Sequence, residues 1–181
     1  MPSERLHADD SVLVRWAQDG RSEAFEHLVR RHRVPVYRTA LRLTGDTHLA
    51  DDVAQDAFIA AWESLQLFRA DSSFATWLYR IVVNRARNSF RGRRDVPVDD
   101  VPLDGFHPGA DTEAMAREGS QRVLSAIVEL PFEQRAPLVL RLFEELTYEE
   151  IAQILNISPD AVRGRLHRAR HQLAKTLGGA R

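Results

Sequence analysis

The chain has 181 residues, 44% of them hydrophobic, which is room for one ordinary domain or two small ones with packed cores. With no cysteine it has neither a disulfide framework nor a thiolate metal site, and it cannot sense oxidants through its own thiols. No apolar run approaches a membrane span and the start, MPSERLHADD, lacks a signal-peptide core, so a cytoplasmic protein without direct membrane insertion is expected.

The formal net charge of −1 conceals a segregation. Residues 1–94 carry 15 arginines against 12 acids, residues 95–118 one against seven, and residues 119–181 nine basic side chains against seven. Two basic blocks flank an acidic connector, a pattern that bears on binding partners more than the total does.

Asp10 to Asp19 reads as a short helix with Val12, Leu13 and Trp16 inward, closed by Gly20. Ser22 is placed to cap the next, whose apolar stripe runs from Ala24 and Phe25 to Leu41 and stops at Gly45, with a kink or break expected at Pro35. Asp46 or Thr47 caps a third helix reaching about Leu67, apolar or alanine around most of its circumference, from Ala54, Phe58, Ala61, Trp62 and Leu65 on one side to Leu49, Val53, Ala57 and Ala60 on the other. Into its remaining arc fall Asp52, Gln55, Asp56, Ile59 and Glu63. A solvated face is the ordinary explanation of an acidic strip. Here the strip is narrow, has no Lys or Arg at i+4, and holds an aliphatic residue at its middle, which suits a dock for a basic protein surface. His48 beside Asp51 and Asp52 lacks a second histidine at ligand spacing, so no metal is expected.

After the loop FRADSS (68–73), the stretch FATWLYRIVVNRARNSFRGRR (74–94) carries six arginines and no acid. At about 100° per residue, Trp77, Arg80, Asn84, Arg87, Asn88 and Arg91 share one arc, opposite Leu78, Tyr79, Val82, Val83, Ala86 and Phe90. One face suits a core and the other nucleic acid. Arginine binds phosphate or a base edge, asparagine pairs with a base edge, and an exposed tryptophan offers a plane for an unpaired base. Residues 95–112 then read as an extended acidic linker with three prolines and two glycines.

A second domain begins near residue 113. Met115, Val123, Leu124, Ile127, Val128 and Leu130 give one helix; Pro131 starts the next, bent at Pro137, with Leu138, Val139, Leu142 and Phe143 buried. Thr147 to Glu150 forms a capping box for TYEEIAQIL, Asn156 suits a left-handed turn, and Ser158-Pro159 opens a helix to about Leu177. This is a helix-turn-helix pattern, with Val162, Leu166, Ala169 and Leu173 inward. Gly164, His167, Arg168 and His171 lie opposite, flanked by Arg163, Arg165 and Arg170, so the helix is suited to a major groove, with Arg168 and His167 toward base edges and the flanking arginines toward phosphates. The His167/His171 pair has zinc-ligand spacing but no further ligands nearby.

The combination resembles the extracytoplasmic-function group of bacterial sigma factors in the sigma-70 family, over nearly the whole chain. The likeness is carried by ALRLTGDTHLADDVAQDAFIAAWESLQLF, FATWLYRIVVNRARN and LTYEEIAQILNISPDAVRGRLHRARHQL, long motifs at the right separation. The resemblance implies an all-α fold of two small helical domains joined by a flexible acidic linker (1–94, 95–112, 113–181), the second with the helix-turn-helix, and no catalytic site or cofactor. Partners implied are core RNA polymerase through its beta-prime clamp helices and beta flap, promoter DNA, and an anti-sigma factor. The resemblance assigns the docking surface to Asp52, Gln55 and Asp56, capture of a flipped minus-ten base to Phe68 and its loop with Asn84, and the minus-thirty-five groove to Arg163, Arg165, His167 and Arg168. Gly164 departs from the small hydroxyl residue usual there, and Glu145 from a common glycine. The rival from another class is an ordinary helix-turn-helix repressor or activator working without polymerase; it leaves the acidic strip and the Trp77/Asn84 face idle, and a footprint that requires core polymerase separates the two.

Overall fold

The computed structural model describes residues 8–90 and 121–178, and all regular structure among them is helical. In chain order these are α1 (Asp10–Gln18), α2 (Ser22–Thr44), α3 (Thr47–Ser64) with a 3-10 turn at Leu65–Leu67, α4 (Phe74–Ser89), α5 (121–128), α6 (Phe132–Phe143), α7 (Tyr148–Leu155) and α8 (Pro159–Gly178). The linker expected at 95–112, Arg91 and Met115 lie outside the described residues. None of the described helices is long and apolar enough to cross a membrane.

Helices α1 to α4 pack around Leu13, Leu28, Leu43, Ala57, Leu78 and Val82, and α5 to α8 around Ile127, Leu138, Leu140, Ile151, Val162 and Leu166, all at most 1% exposed. The two helical domains meet along α2 against α6 and α4 against α7, so their buried residues form one continuous core.

Local signals explain most boundaries. The Asp46 carboxylate accepts from Leu49 N at 2.9 Å to start α3, and Ser73 Oγ accepts from Thr76 N at 3.0 Å to start α4. The capping box before α7 is complete: Thr147 Oγ1 accepts from Glu150 N, and the Glu150 carboxylate accepts from Thr147 N at 2.8 Å. Asn156 takes the left-handed conformation at φ 53°, and Ser158 Oγ accepts from Ala161 N at 3.1 Å ahead of α8. Thr147→Ala is expected to lower stability by about 1 kcal/mol, the usual worth of such a cap, measured as a shift in urea midpoint without a change in slope.

Three expectations are corrected. Arg21, not Ser22, is the N-cap of α2, because the turn at Gly20 leaves Arg21 extended with its N–H already bonded to Trp16 O. α2 is not broken at Pro35: Leu28 before it and Val36 and Ala40 after it are buried in the same core, so packing outweighs the lost backbone bond. Leu142 and Phe143 are not buried, being 51% and 36% exposed; α6 sinks its middle, from Arg135 to Leu140, and projects its end. On α3, Trp62 is 45% exposed and its ring lies tilted against Phe25, with centroids 5.0 Å apart.

Candidate nucleic-acid and protein interfaces

On α3, burial of Ala50, Val53, Ala57 and Ala61 turns the opposite arc outward. Asp52, Gln55, Asp56 and Glu63 are all exposed, with Ile59 half exposed between them. Trp62 adds an exposed aromatic edge beside the strip. The exposed arc of α3 thus sets one half-exposed aliphatic side chain among carboxylates and an amide.

The loop before α4 is held from a distance. Gln18 Nε2 donates to Leu65 O at 2.9 Å and Phe68 O at 3.0 Å, which ties α1 to the turn that presents Phe68. Phe68, Phe74 and Trp77 form an aromatic cluster, with Phe68 and Trp77 centroids 5.0 Å apart. Trp77 is therefore half buried, not the exposed plane expected. Its ring packs against those of Phe68 and Phe74, both at tilted angles. A cleft of about 340 Å³ opens beside it, lined by Phe68, Arg69, Asp71, Trp77 and Arg80 and closed by Gln153 and Ile154 of α7.

Arg80, Asn84 and Asn88 continue this arc along α4, all exposed. Arg87 departs from it. Its guanidinium lies 3.8 Å from Glu133 and over the Phe132 ring at 5.5 Å, so it faces the second domain, and its Nε is buried without a hydrogen-bond partner.

On α8, Val162, Leu166 and Ala169 are buried and Leu173 partly so, leaving Arg163, His167, Arg168, Arg170 and His171 exposed. Arg163 pairs with Asp160 at 3.0 Å on the surface. Arg165 is less free than the helical pattern suggests, because its Nη1 donates to Glu133 at 2.5 Å. A Cβ on Gly164 would meet only Arg168 Nη1, at 3.5 Å, so the position is open and the Arg168 side chain lies along it. Among the described residues no group of three His, Asp or Glu side chains could hold a metal ion.

The residues missed by sequence reasoning are those that join the domains. Arg135 is 8% exposed and donates to the carbonyls of Leu130 and Val128 in its own domain and of Leu43 in the other, the last at 2.6 Å. Burial lowers its pKa to about 10, which leaves it charged at neutral pH. Glu144 receives Thr39 Oγ1 at 2.5 Å and the Tyr79 hydroxyl. Burial first, then the hydrogen bond and negative charge of Glu144, push the Tyr79 phenol above its ordinary range. Arg42 lies over Phe143 at 4.0 Å, and desolvation there lowers its pKa.

Comparison with known proteins agrees with this division. The Sigma-70 region 2 family matches residues 28–96 and the Sigma-70, region 4 family residues 120–173. The chain is 39% identical over 180 residues to the RNA polymerase sigma-H factor of Pseudomonas aeruginosa, covering 93% of each. It is 38% identical over 185 residues to the ECF RNA polymerase sigma-E factor of Escherichia coli, covering 94% of each. Among solved structures it is similar to CnrH in complex with the cytosolic domain of CnrY, with TM-score 0.74, 32% identity and coverage of 95% of this chain and 99% of that one. The sigma factor RpoE of Bartonella quintana, solved with the anti-sigma factor NepR, shares the fold at TM-score 0.72 and 21% identity, over 87% of this chain and 98% of that one. The chain therefore belongs to the extracytoplasmic-function group of the bacterial sigma-70 family, and is a non-enzymatic sigma factor that binds core RNA polymerase and promoter DNA.

Proposed function

We propose the following assignment of that activity to residues. Residues 1–94 dock on polymerase and handle the minus-ten element, 95–112 form a linker, and 113–181 read the minus-thirty-five element. Asp52, Gln55, Asp56 and Ile59 meet the clamp helices of the polymerase beta-prime subunit, and the second domain sits on the beta flap. What supports the docking role is the strip itself: four exposed side chains, acidic and amide around one aliphatic, on a helix whose opposite face is buried.

For the minus-ten element, Phe68, Trp77, Arg80, Asn84, Arg87, Asn88 and Arg91 take the strand that is freed when the duplex opens. The single observation that carries this is the cleft beside the Phe68–Trp77 pair, with an arginine at its rim and Asn84 farther along the exposed face of α4. An aromatic wall stacks an unpaired base and the arginine holds its phosphate, so melted DNA is captured rather than pried apart. Arg163, Gly164, Arg165, His167, Arg168, Arg170 and His171 face the minus-thirty-five major groove, the helix reading base edges while its flanks grip phosphates.

Polymerase performs the chemistry and this chain supplies specificity. Its place is the cytoplasm, where polymerase and chromosome are, and an anti-sigma factor that clamps both domains controls it. The likeness to CnrH, solved with a cytosolic protein domain bound, supports that form of control. Asn84→Ala is expected to lower transcription from a cognate promoter and relax preference at one minus-ten base by roughly fivefold to a hundredfold, the worth of a paired amide contact. Transcription in vitro across a set of single-base promoter variants measures it; an unaltered base preference removes Asn84 from the reading set.

A further inference from the structure

Helix α1 carries none of the contacts proposed above, yet it holds the loop that presents Phe68. Among the described residues, every hydrogen bond that joins residues 65–73 to a distant part of the chain has Gln18 at one end. Its side-chain nitrogen donates to Leu65 O at 2.9 Å and to Phe68 O at 3.0 Å, and its backbone carbonyl accepts from Gln66 Nε2 at 2.9 Å. Carbonyls only accept, so the amide nitrogen must face them and both of its N–H groups are committed to this loop.

The loop needs such a hold. Ala70 takes φ 59°, a left-handed conformation that is unfavourable for a residue with a Cβ and persists where the surroundings impose it. Residues 69–71 are exposed, so burial of their own side chains does not supply that constraint. It comes from the two ends, where Ser73 caps α4 and Gln18 fixes the Phe68 carbonyl. Gln18 stands on a firm base. Leu13, Val14 and Ala17 sink α1 into the core, and Asp10 accepts from Arg31 Nη1 at 2.5 Å and lies 2.7 Å from His32 Nε2. The His32 ring packs in turn on Phe74, with centroids 5.4 Å apart, and Phe74 packs on Phe68 and Trp77. Helix α1 thus braces both the backbone that carries Phe68 and the aromatic cluster around it.

We infer that Gln18 is a positioning residue for the minus-ten base: from α1, through the Phe68 carbonyl, it sets the cleft between the 68–72 loop and Trp77 to the shape that receives an unpaired base. This rests on the assignment of that cleft to melted DNA. Without Gln18 the loop relaxes at Ala70 and Phe68 shifts against Trp77, so the base loses its slot. The exposed face of α4 and the strip on α3 stay as they are.

The test is binding of holoenzyme to single-stranded non-template oligonucleotides that span the minus-ten element of a promoter mapped with the wild-type holoenzyme, each nucleotide replaced in turn by an abasic site. The readout is the ratio of affinities with and without the base, taken within one protein so that changes in charge or core binding cancel. Wild type should show a large ratio at a position where Phe68→Ala collapses it. Gln18→Ala should lower the ratio there by roughly fivefold to tenfold, about the net worth of one hydrogen bond, and leave the ratios elsewhere unchanged. Gln18→Glu keeps the shape but has no N–H to donate, and should do the same. A role confined to packing would spare Gln18→Glu, and one confined to stability would lower the melting temperature and every ratio alike. The inference is overturned if either Gln18 variant, folded and bound to core enzyme, keeps the wild-type ratio at the Phe68-dependent position, or if the ratios fall equally at all positions. A wild type with no Phe68-dependent position would overturn the base-capture reading, and the role of Gln18 with it.

Discussion

Asp52→Arg combined with Asp56→Arg is expected to weaken association with core polymerase by about a hundredfold or more while leaving the fold intact. Each substitution replaces attraction with like-charge repulsion at a basic partner surface, and such juxtapositions cost several kcal/mol. Both side chains are exposed, on the arc of α3 away from Ala50, Val53, Ala57 and Ala61, so neither arginine meets the core. Fluorescence anisotropy with labelled chain and core enzyme measures the affinity, and far-ultraviolet circular dichroism the fold. Ile59→Ala should weaken binding without altering its salt dependence, because it removes apolar contact and no charge. Wild-type affinity in the charge-reversed double variant would remove the strip from the polymerase interface.

The second large effect belongs to α8. Arg168→Ala is expected to cost about 1–3 kcal/mol in promoter binding and to relax specificity at one minus-thirty-five base, as loss of a base-edge contact does. Arg163→Ala, which removes a phosphate contact at the flank, should weaken binding evenly across sequences and reduce the salt slope by about one. Electrophoretic binding by the holoenzyme at several salt concentrations, on duplexes varied one base at a time, distinguishes the two. Equal losses on all sequences for Arg168→Ala would place that arginine on the backbone and leave base reading to its neighbours.

Much of this architecture is legible from local chemistry. The pair Thr147 and Glu150, the left-handed Asn156 and the cap Ser158 with Pro159 act within a few residues, so sequence order is enough to locate α7 and α8. Helical periodicity likewise turns Asp52, Gln55 and Asp56 outward once Ala50, Val53, Ala57 and Ala61 are seen to face the core. The same method fails where the deciding partner is remote. Trp62 shares its side of α3 with the buried Ala61 and Leu65, yet is 45% exposed. Pro35 sits in a helix because buried residues on both sides of it share one core.

The contacts between domains were the least legible, for the same reason. Thr39 and Glu144 are 105 residues apart, and Arg135 and Leu43 are 92 apart; neither pair has a spacing rule. A glutamate just past a helix end and an arginine in the middle of one look like ordinary surface residues. Arg87 shows how far periodicity carries: it belongs to the arc of Asn84 and Asn88, yet Glu133 and Phe132 draw its guanidinium to the second domain. Gly164, a departure from the family pattern, is open on the helix surface, so its effect is the loss of a reading side chain rather than a packing requirement.

The most direct measurement is transcription in vitro from a genomic DNA library with core polymerase and purified chain, followed by sequencing of the transcript starts. Starts that appear only when the chain is present, each preceded by two shared elements at one fixed spacing, are the expected result. Starts no different from those of core enzyme alone, with the chain instead protecting duplex sites in the absence of polymerase, would contradict it.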